Sequence, residues 1–262
     1  MEDKKSIDRR KWFKLALGGA GASIAGNSLA QVCRGIETAT QPLGPFFPRP
    51  GTPEWNIREK NSGPIYKAND NDLTVIKGQS GTAAGQVVFV RGKVMDEACN
   101  PISRASIIMW QASESGRYNH KGDAGNPSFK HPITGVRMER KHDPNFTYWG
   151  RFVTRSNGEY WFKTIIPGFY PANLETRWYR PPHLHFRISS TRHQELVTQT
   201  YFKGREVRNN KFIQDLNAED WLLNRLSGKE IDIQTLEFVR SNRNSPQKGE
   251  LVANFDITLR RR

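Results

Sequence analysis

The stretch Gly150-Arg151-Phe152-Val153-Thr154-Arg155-Ser156-Asn157-Gly158-Glu159-Tyr160-Trp161-Phe162-Lys163 sets two β-rich runs on either side of Ser156-Asn157-Gly158. Aromatic and β-branched residues suit a pleated, half-buried surface, and Asn-Gly readily takes the positive φ of a tight turn. The expected structure is strand, turn, strand, paired as a hairpin. The same vocabulary recurs in both directions. Upstream, residues 87–94 read as a strand, 96–101 as a polar turn, and 105–111 as a strand apolar enough for burial on both faces. Downstream, strands are expected at 183–189, 196–202 and 254–259. Asn217-Ala218-Glu219-Asp220 marks a helix start that continues to Leu226, with Asn217 capping and two carboxylates in the first turn. Many short strands, long loops and one short helix in the C-terminal half predict an all-β fold, an antiparallel β-sandwich. Residues 119–147 hold several prolines and no periodicity, and read as a long loop of the kind that carries function. Residues 31–85, rich in Pro, Gly and Thr, read as an extended segment wrapped over a single domain at 86–262.

The first thirty residues read differently. Arg9-Arg10-Lys11 precedes a mildly apolar Gly/Ala-rich run and then Ser28-Leu29-Ala30, the three parts of a signal peptide. The run is too short and too glycine-rich to span a bilayer, so no membrane span is expected. The arginine pair resembles the twin-arginine export signal, which implies a periplasmic or secreted protein that folds before export. The formal net charge is +14. Residues 1–30 contribute six Lys/Arg and three Asp/Glu, leaving +11 for the remainder. Those basic residues are scattered and accompany no nucleic-acid motif, so no nucleic-acid partner is expected. The surplus reads as a solvated surface that also attracts an anionic aromatic acid. Two cysteines, Cys33 and Cys99, argue against a disulfide framework and leave at most one bridge.

His183-Leu184-His185 falls in an expected strand, where residues two apart share a face and both imidazoles converge. Two neutral imidazoles are half of a metal site, but a lone pair of this kind is more often an ordinary surface or satisfied pair. Tyr118 and Tyr170 each follow a strand, and each alone is read as a ring packed inward with its hydroxyl exposed. As ligands they need a strong Lewis acid to ionise them far below a pKa of about 10. Ferric iron does this, whereas zinc relies on Cys, His and carboxylates. Two other readings stay open on residues alone. One is a zinc enzyme built on the histidine pair. The other is a non-catalytic exported β-sandwich, since Gly92, Val94, Asp96, Pro101 and Ala105 form a pattern that binding modules share.

Taken in order, Trp110-Gln111-Ala112, Gly116-Arg117-Tyr118, Pro167-Gly168-Phe169-Tyr170-Pro171 and Arg180-Pro181-Pro182-His183-Leu184-His185-Phe186 resemble the intradiol ring-cleavage dioxygenases. Asp143-Pro144-Asn145-Phe146, 199–204 and 255–260 add to the likeness, which runs from about Thr40 to the end. It has most in common with the iron-bearing chain of protocatechuate 3,4-dioxygenases. The resemblance implies one Fe(III) per chain, held by Tyr118, Tyr170, His183 and His185, with no organic cofactor. It implies a catecholic substrate and O₂, and a cis,cis-muconate product. Tyr170, displaced by the catechol, takes up a phenolic proton. Arg180 stabilises charge on the attacked ring, and Gln199 orients Arg180 or the substrate. Trp110 lines the cavity or packs in the core, and Gly44-Pro45 lies beside the substrate. The assembly implied is a homo-oligomer, with an iron-free homologous subunit as a further component. Ala172 stands where the protocatechuate type has a tryptophan, and 121–142 is longer than in those enzymes. Both departures bear on the pocket and leave the ligands untouched.

Overall fold

The computed structural model describes residues 35–47, 70–123, 125–203, 210–242 and 250–262. The expected signal segment, Cys33 and 48–69 of the expected wrapping segment lie outside them. Among the described residues, fourteen strands form two five-stranded sheets and two small hairpins. The first sheet is built on β1 (Val87–Asp96), which pairs antiparallel with β6 (Glu159–Ile165). It also takes β13 (Leu251–Asn254) and β14 (Ile257–Leu259) in parallel, with β12 (Val239–Arg240) beyond β13. The expected single strand at 254–259 is thus broken between these two elements.

The second sheet comprises β2 (Ser106–Trp110), β5 (Trp149–Val153), β9 (His183–Ser189), β10 (Leu196–Phe202) and β11 (Thr235–Leu236). Their order is β11-β10-β9-β2-β5, antiparallel except for β10 with β11. Phe162 of β6 meets Phe186 of β9 at 6.3 Å between ring centroids, and Phe186 meets Phe255 at 5.3 Å. The core therefore lies between the sheets, as a β-sandwich requires. The sandwich is mixed rather than purely antiparallel, because the C-terminal strands run parallel to β1.

The turn at 156–158 exists, but the hairpin does not. β5 pairs with β2 and β6 pairs with β1, so the two strands belong to opposite sheets. The Thr154 hydroxyl donates to Ile102 O at 2.7 Å and accepts from Ala105 N at 2.8 Å, tying the end of β5 towards β2. The Asn-Gly signal specified local chain reversal, and long-range partners decided which edge each strand joined.

The helical region also differs from expectation. α1 (Asn210–Glu219) ends where a helix was expected to begin, and α2 (Gly228–Gln234) follows a short 3₁₀ turn at Leu223–Arg225. Asn217 does not cap; its side-chain amide donates to Phe202 O at 2.9 Å. Asp220 instead accepts from Leu223 N at 2.8 Å, starting the next turn. Within 119–147 the chain is not a bare loop, since β3 (Ser128–Lys130) and β4 (Arg137–Glu139) pair there. β7 (Tyr170–Asn173) and β8 (Trp178–Arg180) form the other hairpin, so Tyr170 begins a strand. Cys99, in the turn after β1, is disulfide-bonded. No helix among the described residues is long and apolar enough to cross a membrane.

Candidate metal centre

Alternation along β9 divides its residues cleanly. Leu184, Phe186 and Ile188 enter the core, so His183 and His185 face the other side of the sheet. The register brings further residues onto that side. Gln199 and Trp110 lie directly opposite His185 on its two flanks, and Tyr201 lies opposite His183. The two tyrosines arrive from outside the sheet, on segments packed against each other. Gly168 N donates to Ser113 O at 2.9 Å. Gly116 has φ +76°, and a Cβ there would lie 2.4 Å from Phe169 O, so only glycine allows this approach. The contact brings the Tyr118 and Tyr170 rings to 5.6 Å, edge to face.

Tyr118 Oη lies 3.2 Å from His183 Nε2 and 3.1 Å from His185 Nε2, and the two Nε2 atoms are 3.2 Å apart. The centre of such a triangle is about 1.8 Å from each corner, close to the roughly 2.0–2.1 Å usual for imidazole ligation, so these three atoms could hold one ion between them. Tyr170 stands beside the triangle, its ring 5.7 Å from that of His183 and edge to face with that of Tyr118. His183 Nδ1 is 2.6 Å from Pro181 O. A carbonyl only accepts, so Nδ1 carries the proton and Nε2 presents a lone pair to the triangle. Among the described residues no three of His, Cys, Asp or Glu cluster. The donors beside the histidines are phenols, a set that fits a hard, strongly acidic ion such as Fe(III) better than zinc.

All four donors are buried. Burial, reinforced by Tyr170, pushes the Tyr118 hydroxyl well above the usual tyrosine range. Burial also raises Tyr170, against the pull of Arg180. Burial and Arg180 together push both imidazoles well below theirs. The histidines are thus held neutral, the form in which an imidazole can ligate a metal, and a bound cation would reverse the direction at the tyrosines.

Arg180 faces Tyr170 across the β7–β8 pair. Its Nε donates to Asp220 Oδ2 at 2.7 Å, and its Nη2 donates to Gln199 Oε1 at 2.6 Å and to Tyr201 Oη at 3.3 Å. Gln199 is oriented by donating Nε2 to Pro42 O at 2.9 Å, and Tyr201 by donating to Gln41 Oε1 at 3.1 Å. Trp110 lies behind His185, stacked at 4.7 Å and 11°. Gly44 lies against His185 with φ +78°, where a Cβ would sit 3.3 Å from Cε1. Pro45 is exposed, while Phe46 rests 4.7 Å from the Tyr118 ring and 6.1 Å from Tyr170. Ala172 is exposed on β7. Two surface hollows of about 480 and 270 Å³ lie elsewhere and are lined by none of the four donors.

Four participants escaped the sequence reading. Asp220 reads in the sequence as a carboxylate in a helix's first turn, Gln41 carries no local signal, and Tyr201 is marked only by its place on a strand. The fourth is Arg140, which joins Asp123 beneath Tyr118. For Tyr201 the period-2 rule was the available clue, since it shares a strand face with Gln199.

A model of the family described as Dioxygenase matches residues 61–260. The beta chain of a protocatechuate 3,4-dioxygenase from Burkholderia cepacia is 35% identical over 147 residues, covering 54% of this chain and 57% of that one. A catechol 1,2-dioxygenase from Candida albicans is 26% identical over 176 residues, covering 63% of this chain and 46% of the other. The matches thus span roughly half the length of these curated relatives. An intradiol ring-cleavage dioxygenase structure from Tetranychus urticae aligns with a TM-score of 0.55 at 20% identity, covering 86% of this chain and 95% of that one. A 3-chlorocatechol 1,2-dioxygenase structure from Rhodococcus opacus gives 0.53 at 22%, covering 89% and 75%. At such identities these structures bear on the fold alone.

Proposed function

This chain belongs to the intradiol ring-cleaving dioxygenase family, and on that premise we propose that it uses O₂ to open a catechol ring between its hydroxyl-bearing carbons. The observation that carries the reading is the triangle of Tyr118 Oη, His183 Nε2 and His185 Nε2, with Tyr170 beside it. These four residues would hold one Fe(III) per chain, and no organic cofactor is invoked. Ferric iron would supply the Lewis acidity that keeps phenolates and a bound catechol ionised and opens the ring to O₂.

The remaining work falls to the chain's own side chains. Tyr170 would accept one phenolic proton of an incoming catechol at its Oη. Among the described residues, Arg180 Nη1 has no hydrogen-bond partner, whereas Nε and Nη2 are committed. Nη1 is therefore the part of the fork left to meet charge developing on the ring. Gln199 holds that fork from the Nη2 side. Trp110 fixes the plane of His185, and Phe46 covers the tyrosines and excludes water.

The substrate class proposed is a protocatechuate-like catechol, cleaved to a cis,cis-muconate, with Gly44, Pro45 and Ala172 bordering its ring. The enzyme is proposed to work as a homo-oligomer, with or without an iron-free homologous subunit. It is proposed to leave the cytoplasm through the Arg9-Arg10 signal. The deciding experiment combines metal analysis, the visible spectrum and a catechol panel on purified protein. We expect one iron per chain, a tyrosinate charge-transfer band that shifts with catechol, and muconate product. Protein that takes up no iron and leaves catechols intact would overturn the assignment.

A further inference from the structure

We propose that Asp220 is a positioning residue for ring cleavage, holding the Arg180 fork so that Nη1 points at the substrate; this rests on the function proposed above. Asp220 and Arg180 are 40 residues apart and both buried, and the 2.7 Å bond from Nε to Oδ2 joins them. A guanidinium held only at Nη2 can still swing about its own stem. A second anchor at Nε, along the edge it shares with Nη2, removes that freedom. Gln199 and Asp220 provide the two anchors, 2.6 and 2.7 Å from their nitrogens.

Asp220 is itself held in place. Its Oδ1 accepts from Leu223 N at 2.8 Å, and its backbone carbonyl accepts from Asn224 N at 3.0 Å. One carboxylate thus starts the 3₁₀ turn after α1 and grips Arg180, so the placement of the fork is transmitted from a helical segment outside the sheet. The charge also matters. Arg180 faces Tyr170 directly across the β7–β8 pair. An adjacent carboxylate offsets this cation, leaving its directional N–H groups as the contribution to the reacting ring. A misplacement of about 1 Å in such a group costs on the order of a hundredfold in rate.

The test is a double-mutant cycle on the iron-loaded enzyme, with Asp220→Asn, Arg180→Lys and the pair. Asp220→Asn keeps the shape but puts an N–H where either Arg180 Nε or Leu223 N needs an acceptor. We expect unchanged iron content and visible band, a ten- to hundredfold fall in kcat and a KM within about threefold of the parent. In the Arg180→Lys background the same substitution should cost less than about twofold, since the fork it positions is already gone. Asp220→Ser, which keeps an acceptor for Leu223 and leaves Nε unpaired, provides the same readout if Asp220→Asn does not fold. Parental kcat in an iron-replete variant, or an equal cost in both backgrounds, overturns the inference while leaving the proposed function standing. A parent that binds no iron overturns both.

Discussion

Arg140 and Asp123 form a buried ion pair directly beneath Tyr118, with Arg140 Nη2 lying 2.7 and 2.8 Å from the two carboxylate oxygens. Asp123 Oδ2 also accepts the Tyr118 backbone N–H at 2.7 Å, and Arg140 donates to Gly116 O on the same segment. The guanidinium carbon lies 5.5 Å from the Tyr170 ring centroid. One pair therefore clamps the segment carrying the first tyrosine and rests against the second.

Removing one member of such a pair leaves an uncompensated buried charge, which typically costs about 3–5 kcal/mol. Arg140→Leu and Asp123→Asn should each lose stability on that scale in urea unfolding. Both should also lower iron retention, because Tyr118 loses its support. A loss below about 1 kcal/mol with full iron would show that the backbone contacts alone fix the segment.

The ligand assignment predicts distinct losses at each donor. His183→Ala and His185→Ala should abolish iron retention, since each removes a corner of the triangle. Tyr118→Phe should bleach or shift the visible band. Metal analysis and absorption spectra of the variants check this, and unchanged iron with an unchanged spectrum would refute it.

Arg180→Lys should keep the iron and the colour while slowing turnover. Lysine keeps the charge but cannot engage Asp220, Gln199 and substrate through one planar fork. Loss of a single electrostatic stabiliser costs about a hundredfold or more. Turnover near the parental rate would reduce Arg180 to a structural role.

Acid should weaken the fold partly through Asp96. Burial raises this carboxyl, but bonds from Arg261 and Asn100 outweigh it and bring the pKa down to about 2 from an ordinary 3.8. A depressed folded pKa contributes stability in full above 3.8, lost as pH falls through 2. Allowing for screening at the exposed Arg261, Asp96→Asn should cost about 1–2 kcal/mol at neutral pH and almost nothing near pH 2. Urea titrations at both pH values make the comparison, and an equal cost at each would contradict it.

Much of this site was legible because its parts are local. Strands at 183–189 and 196–202 stand where they are expected, so the convergence of His183 and His185 followed from side-chain period alone, whereas Gln199 entered only through the resemblance. Tyr118 and Tyr170 became meaningful only through their order and neighbours. What remained hidden depends on distant partners. Asp220 meets Arg180 across 40 residues, and Arg140 meets Asp123 across 17. No local pattern encodes such pairs. The lost hairpin at 156–158 has the same cause, since edge choice is made by β1 and β2 rather than by the turn.

The parallel pairing of β1 with the chain's last strands carries a consequence for synthesis. Arg91 and Asn254, neighbours in that register, are separated by 163 residues. Contacts of such long range are slow to form, because the intervening loop must close before they are rewarded. The first sheet is therefore completed only once β13 and β14 have left the ribosome, and nascent chains expose the free flank of β1 until then. A chain cut short before residue 250 keeps that edge open permanently, as a template for pairing with other chains. Truncated or stalled products of this gene should accordingly aggregate or be degraded rather than accumulate as partly folded enzyme.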